Sequence, residues 1–154
     1  MKRSARMSSV QNMMSATERE HAQQLAAAER RDAEAQQKLD ELRRYQAQYA
    51  LRHQQASATG MLGAALRDYQ TFYARLAEAV RQQQQVAIKL RAEREFAHSR
   101  WREALLRVKA VGSVVERWRG EERRVAENRE QSDSDERVLQ GRATIASEFN
   151  GVKE

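Results

Sequence analysis

Apolar residues recur at alternating steps of four and three through the second half of the chain, from Leu62 through Leu66, Tyr69, Tyr73, Leu76 and Val80. The same stepping runs on through Ala87, Leu90, Ala97, Trp101, Ala104, Val108, Val111 and Val115 to Trp118, broken only at Gln83 and Arg94. Such a stripe follows one side of an α-helix and is the seam by which it supercoils with another, here for about eight heptads. At the α-helical rise the stripe predicts a helix of roughly 85 Å, several times the radius of a compact domain of this length. The expectation is a rod and not a globule.

A shorter stripe of the same period lies upstream, at Met14, Glu18, His21, Leu25, Ala28, Asp32, Ala35, Leu39, Leu42, Gln46 and Tyr49. Between the stripes, Ala56-Ser57-Ala58-Thr59-Gly60 reads as a loop. Gly60 can take a positive φ at a helix end, and Ser57 or Thr59 can cap the helix that follows. So short a loop predicts an antiparallel pair: an all-α, two-helix coiled-coil hairpin forming one elongated domain over residues 1–154. The first helix is placed at about 12–55, the loop at 56–60, the second helix at about 61–130 and a fraying tail at 131–154.

Folding the stripes about the loop predicts a register. Leu39 faces Leu76, Leu42 faces Tyr73, Ala35 faces Val80, Tyr49 faces Leu66, Leu25 faces Leu90 and Met14 faces Trp101. The polar seam residues then meet as Asp32 with Gln83 and His21 with Arg94, with Glu18 a turn away; contacts of this kind cost stability but disfavour slipped registers. In this register Val108 lies opposite Met7, whereas Val115 and Trp118 have no partner, leaving an apolar stripe uncovered.

The positions flanking the seam also divide. One flank carries Lys38, Tyr45, Ala65, Phe72, Ala79 and Val86; the other carries Gln36, Arg43, Gln70, Gln84 and Arg91. The first is apolar and aromatic, with Tyr45 beside Phe72. Half-buried rings there either thicken the core or anchor a partner.

Composition changes this picture little. The chain has no proline, 32% charged residues and 6% aromatic residues, with a mean hydropathy of -0.91, so nothing interrupts a helix and apolar mass is too small for a thick core. The absence of cysteine fits a reducing compartment. The basic start, Met1-Lys2-Arg3-Ser4-Ala5-Arg6, is followed by Ser8-Ser9-Val10-Gln11-Asn12, which is not a signal-peptide core, and no stretch reaches the ~18 apolar residues of a spanning helix. A cytoplasmic location is the default.

The net charge of +6 raises nucleic acid as a partner. Cations, however, alternate with carboxylates at helical spacing, as in Asp40 with Arg44 and Glu103 with Arg107, which is the pattern of a solvated face. No basic stripe interleaved with aromatics is evident, and Arg117-Trp118-Arg119 is the one spot left open. The histidines, His21, His53 and His98, are isolated, so no metal site is expected. Gly60 and Gly63 do not make a phosphate loop, and a two-helix rod offers no pocket for a catalytic triad. No cofactor and no enzyme activity are expected. The run Gln82 to Gln85 reads as a polar helix face, since the seam passes through it.

Tyr45-Gln46-Ala47-Gln48-Tyr49 ahead of the loop, Tyr69-Gln70-Thr71-Phe72 with Leu76 and Ala79 after it, and Trp101-Arg102-Glu103 beyond resemble the flagellar FliJ family of type III export. The resemblance covers roughly residues 16–129. It implies a non-enzymatic part of the flagellar export apparatus, an antiparallel coiled coil similar to the stalk of rotary ATPases. Such a protein would be cytoplasmic and peripherally associated with the inner-membrane apparatus. Its implied partners are the hexameric ring of the export ATPase FliI, the cytoplasmic region of the export gate FlhA, and export chaperones that it helps recycle. By resemblance, gate binding would fall to Leu42, Tyr45, Tyr49, Phe72, Leu76 and Ala79, a set that takes Tyr45, Phe72 and Ala79 from the flank found from spacing and the rest from the seam beside it. At the edges of that patch this chain has Lys38 and Gln83 where the family pattern has other polar side chains.

Ring contacts are placed, from position, at the end carrying the termini: Arg102, Arg107, Lys109, Val115, Arg117 and Trp118. A pin for a ring would be a monomer when free. Two other classes stay open: a scaffolding coiled coil that homodimerises through the stripe near Trp118, and a basic hairpin that binds nucleic acid. Past Gly120 the seam fades, and Ser132-Asp133-Ser134-Asp135-Glu136 belongs to a solvated, fraying stretch.

Overall fold

The computed structural model describes residues 2–60 and 62–152. Two helices account for nearly all of them: α1, Arg3–Ala58, and α2, Ala64–Gly151. They pack as a helical hairpin, and among the described residues there is no strand. The chain divides into two compact units, one being Ala16–Leu105 and the other joining the segment up to Ser15 to the segment from Leu106 onward.

Both helices are longer than the seam alone predicts. α1 begins at Arg3 instead of near residue 12, and α2 continues to Gly151 instead of ending near 130. The stretch read as a fraying tail is therefore helical, although every residue of 123–152 is exposed. Loss of the heptad marks loss of a covering partner and not of helix, because Glu, Arg, Gln and Ala sustain a helix by propensity. Met61, where the sequence reading starts the second helix, and the last two residues of the predicted tail lie outside the described residues.

The turn lies three residues later than expected. At the end of α1 the Thr59 amide donates to the Ala56 carbonyl at 3.1 Å and the Gly60 amide to the Ser57 carbonyl at 3.2 Å. Gly60 has φ 95° and Gly63 φ 70°, left-handed values that close the turn without a Cβ clash. Neither Ser57 nor Thr59 caps α2. The Thr59 hydroxyl instead donates to the Ala56 carbonyl at 2.8 Å, and the Ser57 hydroxyl lies 3.4 Å from His53 Nε2. Leu62, the first residue of the predicted seam, sits outside α2 and is 84% exposed.

In Ala16–Leu105 the buried residues of α1 are Leu25, Ala28, Asp32, Ala35 and Leu39, the predicted a and d positions. Ala35, Leu39 and Ala87 form a core cluster against which Val80 and Leu90 pack. The register is not the predicted one. Trp101 Nε1 donates to Glu18 Oε1 at 2.8 Å, one turn from the expected Met14. Gln83 Nε2 reaches the Ala35 carbonyl at 3.1 Å and not Asp32. Asp32 Oδ2 instead takes Arg94 Nη1 at 2.8 Å, so Arg94 does not meet His21. An antiparallel heptad seam slid by a turn still sets apolar against apolar, so the apolar pattern cannot choose between these registers. The charge of Asp32 does, by taking a cation in place of a neutral amide.

In the unit formed by the terminal segments, Val115 is 1% exposed. The expectation that Val115 and Trp118 stand uncovered is overturned, because α1 starts earlier and reaches further along α2 than predicted. Arg3 stacks over Trp118 with its guanidinium carbon 5.3 Å from the ring centroid, and Trp118 is half-buried. The first turn of α1 has no acidic residue of its own. Glu122 of α2 supplies one: it accepts the Ser4 amide at 3.2 Å and the Ser4 hydroxyl at 2.5 Å. A carboxylate here satisfies an orphan donor of the helix and opposes its positive end.

Candidate docking surface

Near the turn, α1 contributes Tyr45, Tyr49 and His53 at successive four-residue steps, so their rings share one face of the helix. α2 answers with Tyr69, Phe72 and Tyr73. Tyr49 lies parallel to Tyr69 with ring centroids 5.0 Å apart, and it meets Phe72 at 4.6 Å in a tilted contact. Tyr45 and Phe72 meet in a T-shaped contact, 6.4 Å between centroids at 76°. The sequence reading set Tyr49 against Leu66; the rings displace that pairing by a turn, the same direction of slip that Trp101 shows. Offset and edge-on aromatic pairs gain about 0.5–1.5 kcal/mol beyond area burial, enough to bias a register that the aliphatic seam leaves open.

His53 extends the stack. Its ring lies 3.4 Å from that of Tyr69 at 12°, and its Nδ1 is buried with no hydrogen-bond partner among the described residues. Tyr69 is also beside Tyr73, 5.8 Å between centroids. Burial first, then the neighbouring Tyr73 and Tyr49 hydroxyls, push the Tyr69 phenol above its usual 10.0. An open groove of about 780 Å³ runs along these rings, with Tyr49, His53, Tyr69 and Phe72 on its apolar side and Arg52 and Arg75 at its edge. His53 was read as isolated. Its spacing of four from Tyr49 is the signal that adds it to the aromatic face.

The residues expected at a gate contact divide by exposure. Tyr45 is 46% exposed and Phe72 39%. Leu42, Tyr49 and Ala79 are half-buried, and Leu76 is buried in the core. Tyr45 and Phe72 are therefore the rings a partner can reach, whereas Leu76 is not. Of the residues placed at a ring contact, Arg102, Arg107, Lys109 and Arg117 are exposed. Val115 offers no surface, and Trp118 offers only what Arg3 leaves open. Arg102 belongs to Ala16–Leu105, the other five to the unit of the terminal segments.

The grooves along the helix pair are open. Among the described residues there is no cluster of His, Asp and Glu able to hold a metal ion, and no helix is long and apolar enough to cross a membrane. What the site offers is a rigid aromatic surface on a helical scaffold.

Comparison with curated proteins and comparison with solved structures each gave no match. The family described as Flagellar FliJ protein matches residues 2–144, which is most of the chain. The helical hairpin and a match over most of the chain agree: the chain belongs to the flagellar FliJ family, a family of flagellar export components.

Proposed function

We propose that this protein is a non-enzymatic coupler of the flagellar export apparatus, working in the cytoplasm at the membrane-bound machinery. Its aromatic face engages the cytoplasmic region of the export gate FlhA, and a second surface engages the ring of the export ATPase FliI. The observation that carries this reading is the pair of exposed rings, Tyr45 and Phe72, held edge to face on the hairpin near its turn. Aromatic anchors on a rigid support bind with little ordering cost and dominate interface energetics. Family membership supplies the context, and any ATP hydrolysis belongs to the ring.

Ring contact on this reading falls to the exposed cations Arg102, Arg107, Lys109 and Arg117, with Val115 removed from the set by its burial. A chain touched by both partners lets binding of one bias the other through a coupling free energy. Escort of export chaperones is the third part of the role, with the chain acting as a monomer when free. The homodimer alternative relied on an open stripe near Trp118; the burial of Val115 and half-burial of Trp118 weigh against it, and sedimentation of the free chain tests it.

The test is binding of the purified chain to the cytoplasmic part of the gate and to the ATPase. Phe72→Ala should weaken gate binding at least about tenfold, in the range of aromatic hot spots, with helicity unchanged. Charge reversal at Arg107 and Arg117 should reduce stimulation of the ATPase and leave gate binding alone. If the unaltered chain binds neither protein, the coupling role is wrong.

A further inference from the structure

Two grooves along the helix pair in Ala16–Leu105 differ in charge. The first, of about 610 Å³, is lined by Glu29, Glu95 and His98, and in it Asp32 and Arg94 neutralise one another. The second, of about 640 Å³, is lined by Phe96 with the small, covered Ala28 and Ala97 and the cations Arg31, Lys89 and Arg100. Phe96 is 64% exposed, an unusual place for a ring of that size. The Arg100 guanidinium lies over it, 5.6 Å from the centroid. Stacking uses the face of a guanidinium and leaves the N–H groups at its edge free to donate. Among the described residues none of these three cations is paired with a carboxylate, and Glu93 is the one acid in the groove.

We infer that the Phe96 groove is a docking site for an acidic amphipathic helix of a partner protein, separate from the aromatic face near the turn and independent of the coupling role. The occupant follows from charge and shape. The small side chains of Ala28 and Ala97 leave room for a leucine-sized knob beside Phe96. Three unpaired cations around it match carboxylates spaced three and four residues apart on a helix laid along the groove. A neutral or basic helix would leave those cations against apolar or like-charged surface. The groove with Glu29 and Glu95 repels the same partner.

The test uses the full chain and a fluorescein-labelled helical peptide with Leu at heptad a and d positions and Glu flanking them, read by anisotropy. Saturable binding is expected, with Phe96→Ala and the double change Lys89→Glu with Arg100→Glu each weakening it at least about tenfold while circular dichroism is unchanged. Glu29→Lys, in the other groove, should not weaken it. The proposal is overturned by any of several results: no saturable binding, equal binding of a scrambled peptide of the same composition, or indifference to Phe96→Ala. It is equally overturned if single-stranded DNA binds at least as tightly and depends on Phe96, which would make the groove a nucleic-acid surface. A self-association of the free chain that Phe96→Ala abolishes, seen by sedimentation, would give the groove to a second copy instead.

Discussion

Asp32 and Arg94 form an ion pair in the middle of an apolar seam, and its two halves are unequally placed. The Asp32 side chain is 6% exposed and the Arg94 side chain 39%, with Oδ2 and Nη1 2.8 Å apart. Asp32 Oδ1 is buried and has no hydrogen-bond partner among the described residues. Removing the cation by Arg94→Ala strands a carboxylate that cannot turn to water. Breaking a buried pair in that way costs about 3 kcal/mol, the low end of the usual range because solvent already reaches the arginine side. Removing the acid by Asp32→Ala leaves a long cation that can swing outward, at a cost of about 1 kcal/mol. Replacing both by leucine removes the desolvation penalty and should be neutral or stabilising. The order Arg94→Ala worst, Asp32→Ala intermediate, double leucine mildest is read from urea unfolding followed by helical circular dichroism. If Arg94→Ala costs no more than Asp32→Ala, the carboxylate is not the buried partner and the reasoning fails.

Two other variants probe the unit of the terminal segments. Val115→Ala should lower stability by about 2 kcal/mol through an unfilled cavity, whereas Val125→Ala, 51% exposed, should change it by less than about 0.5 kcal/mol; equal thermal shifts would contradict the covered seam. The Ser4 hydroxyl, helped by the Ser4 amide and by Lys2 and Arg3, holds the Glu122 carboxyl below its ordinary 4.5. A folded value below the unfolded one stabilises above pH 4.5, and that stabilisation is lost as the pH falls through the lowered value. Exchange protection of the Ser4 amide should drop over that acid range in the unaltered chain, and Glu122→Gln should remove the dependence.

The periodic part of the fold was legible because period is what a sequence displays. Leu25, Ala28, Asp32, Ala35 and Leu39 sit where a three-four stepping puts them, and even the polar member is buried as predicted. Register was not legible, since a heptad seam slid by one turn maps onto itself. The contacts that decide it, Tyr49 on Tyr69 and Asp32 with Arg94, depend on ring geometry and reach that spacing does not encode. Errors downstream of register follow from it. Val115 was left without cover, and Glu122 could not be seen as the cap of α1, because both readings require knowing where Arg3 and Ser4 arrive on α2. The aromatic face was legible from Tyr45 and Phe72, whereas His53 was missed although it stands one turn from Tyr49.

The bare stretch of α2 past Glu122 has a calorimetric consequence. Its side chains, Val138, Leu139, Ile145 and Phe149 among them, are exposed while the backbone is helical. An isolated helix in water melts as a broad helix–coil equilibrium and not in one step. Since little apolar surface is hidden there, its loss adds almost nothing to the heat-capacity change of unfolding. Ellipticity should therefore begin to fall at temperatures where a scanning calorimeter still records a flat baseline. The gap between the two curves measures how much of α2 is helix without a fold behind it.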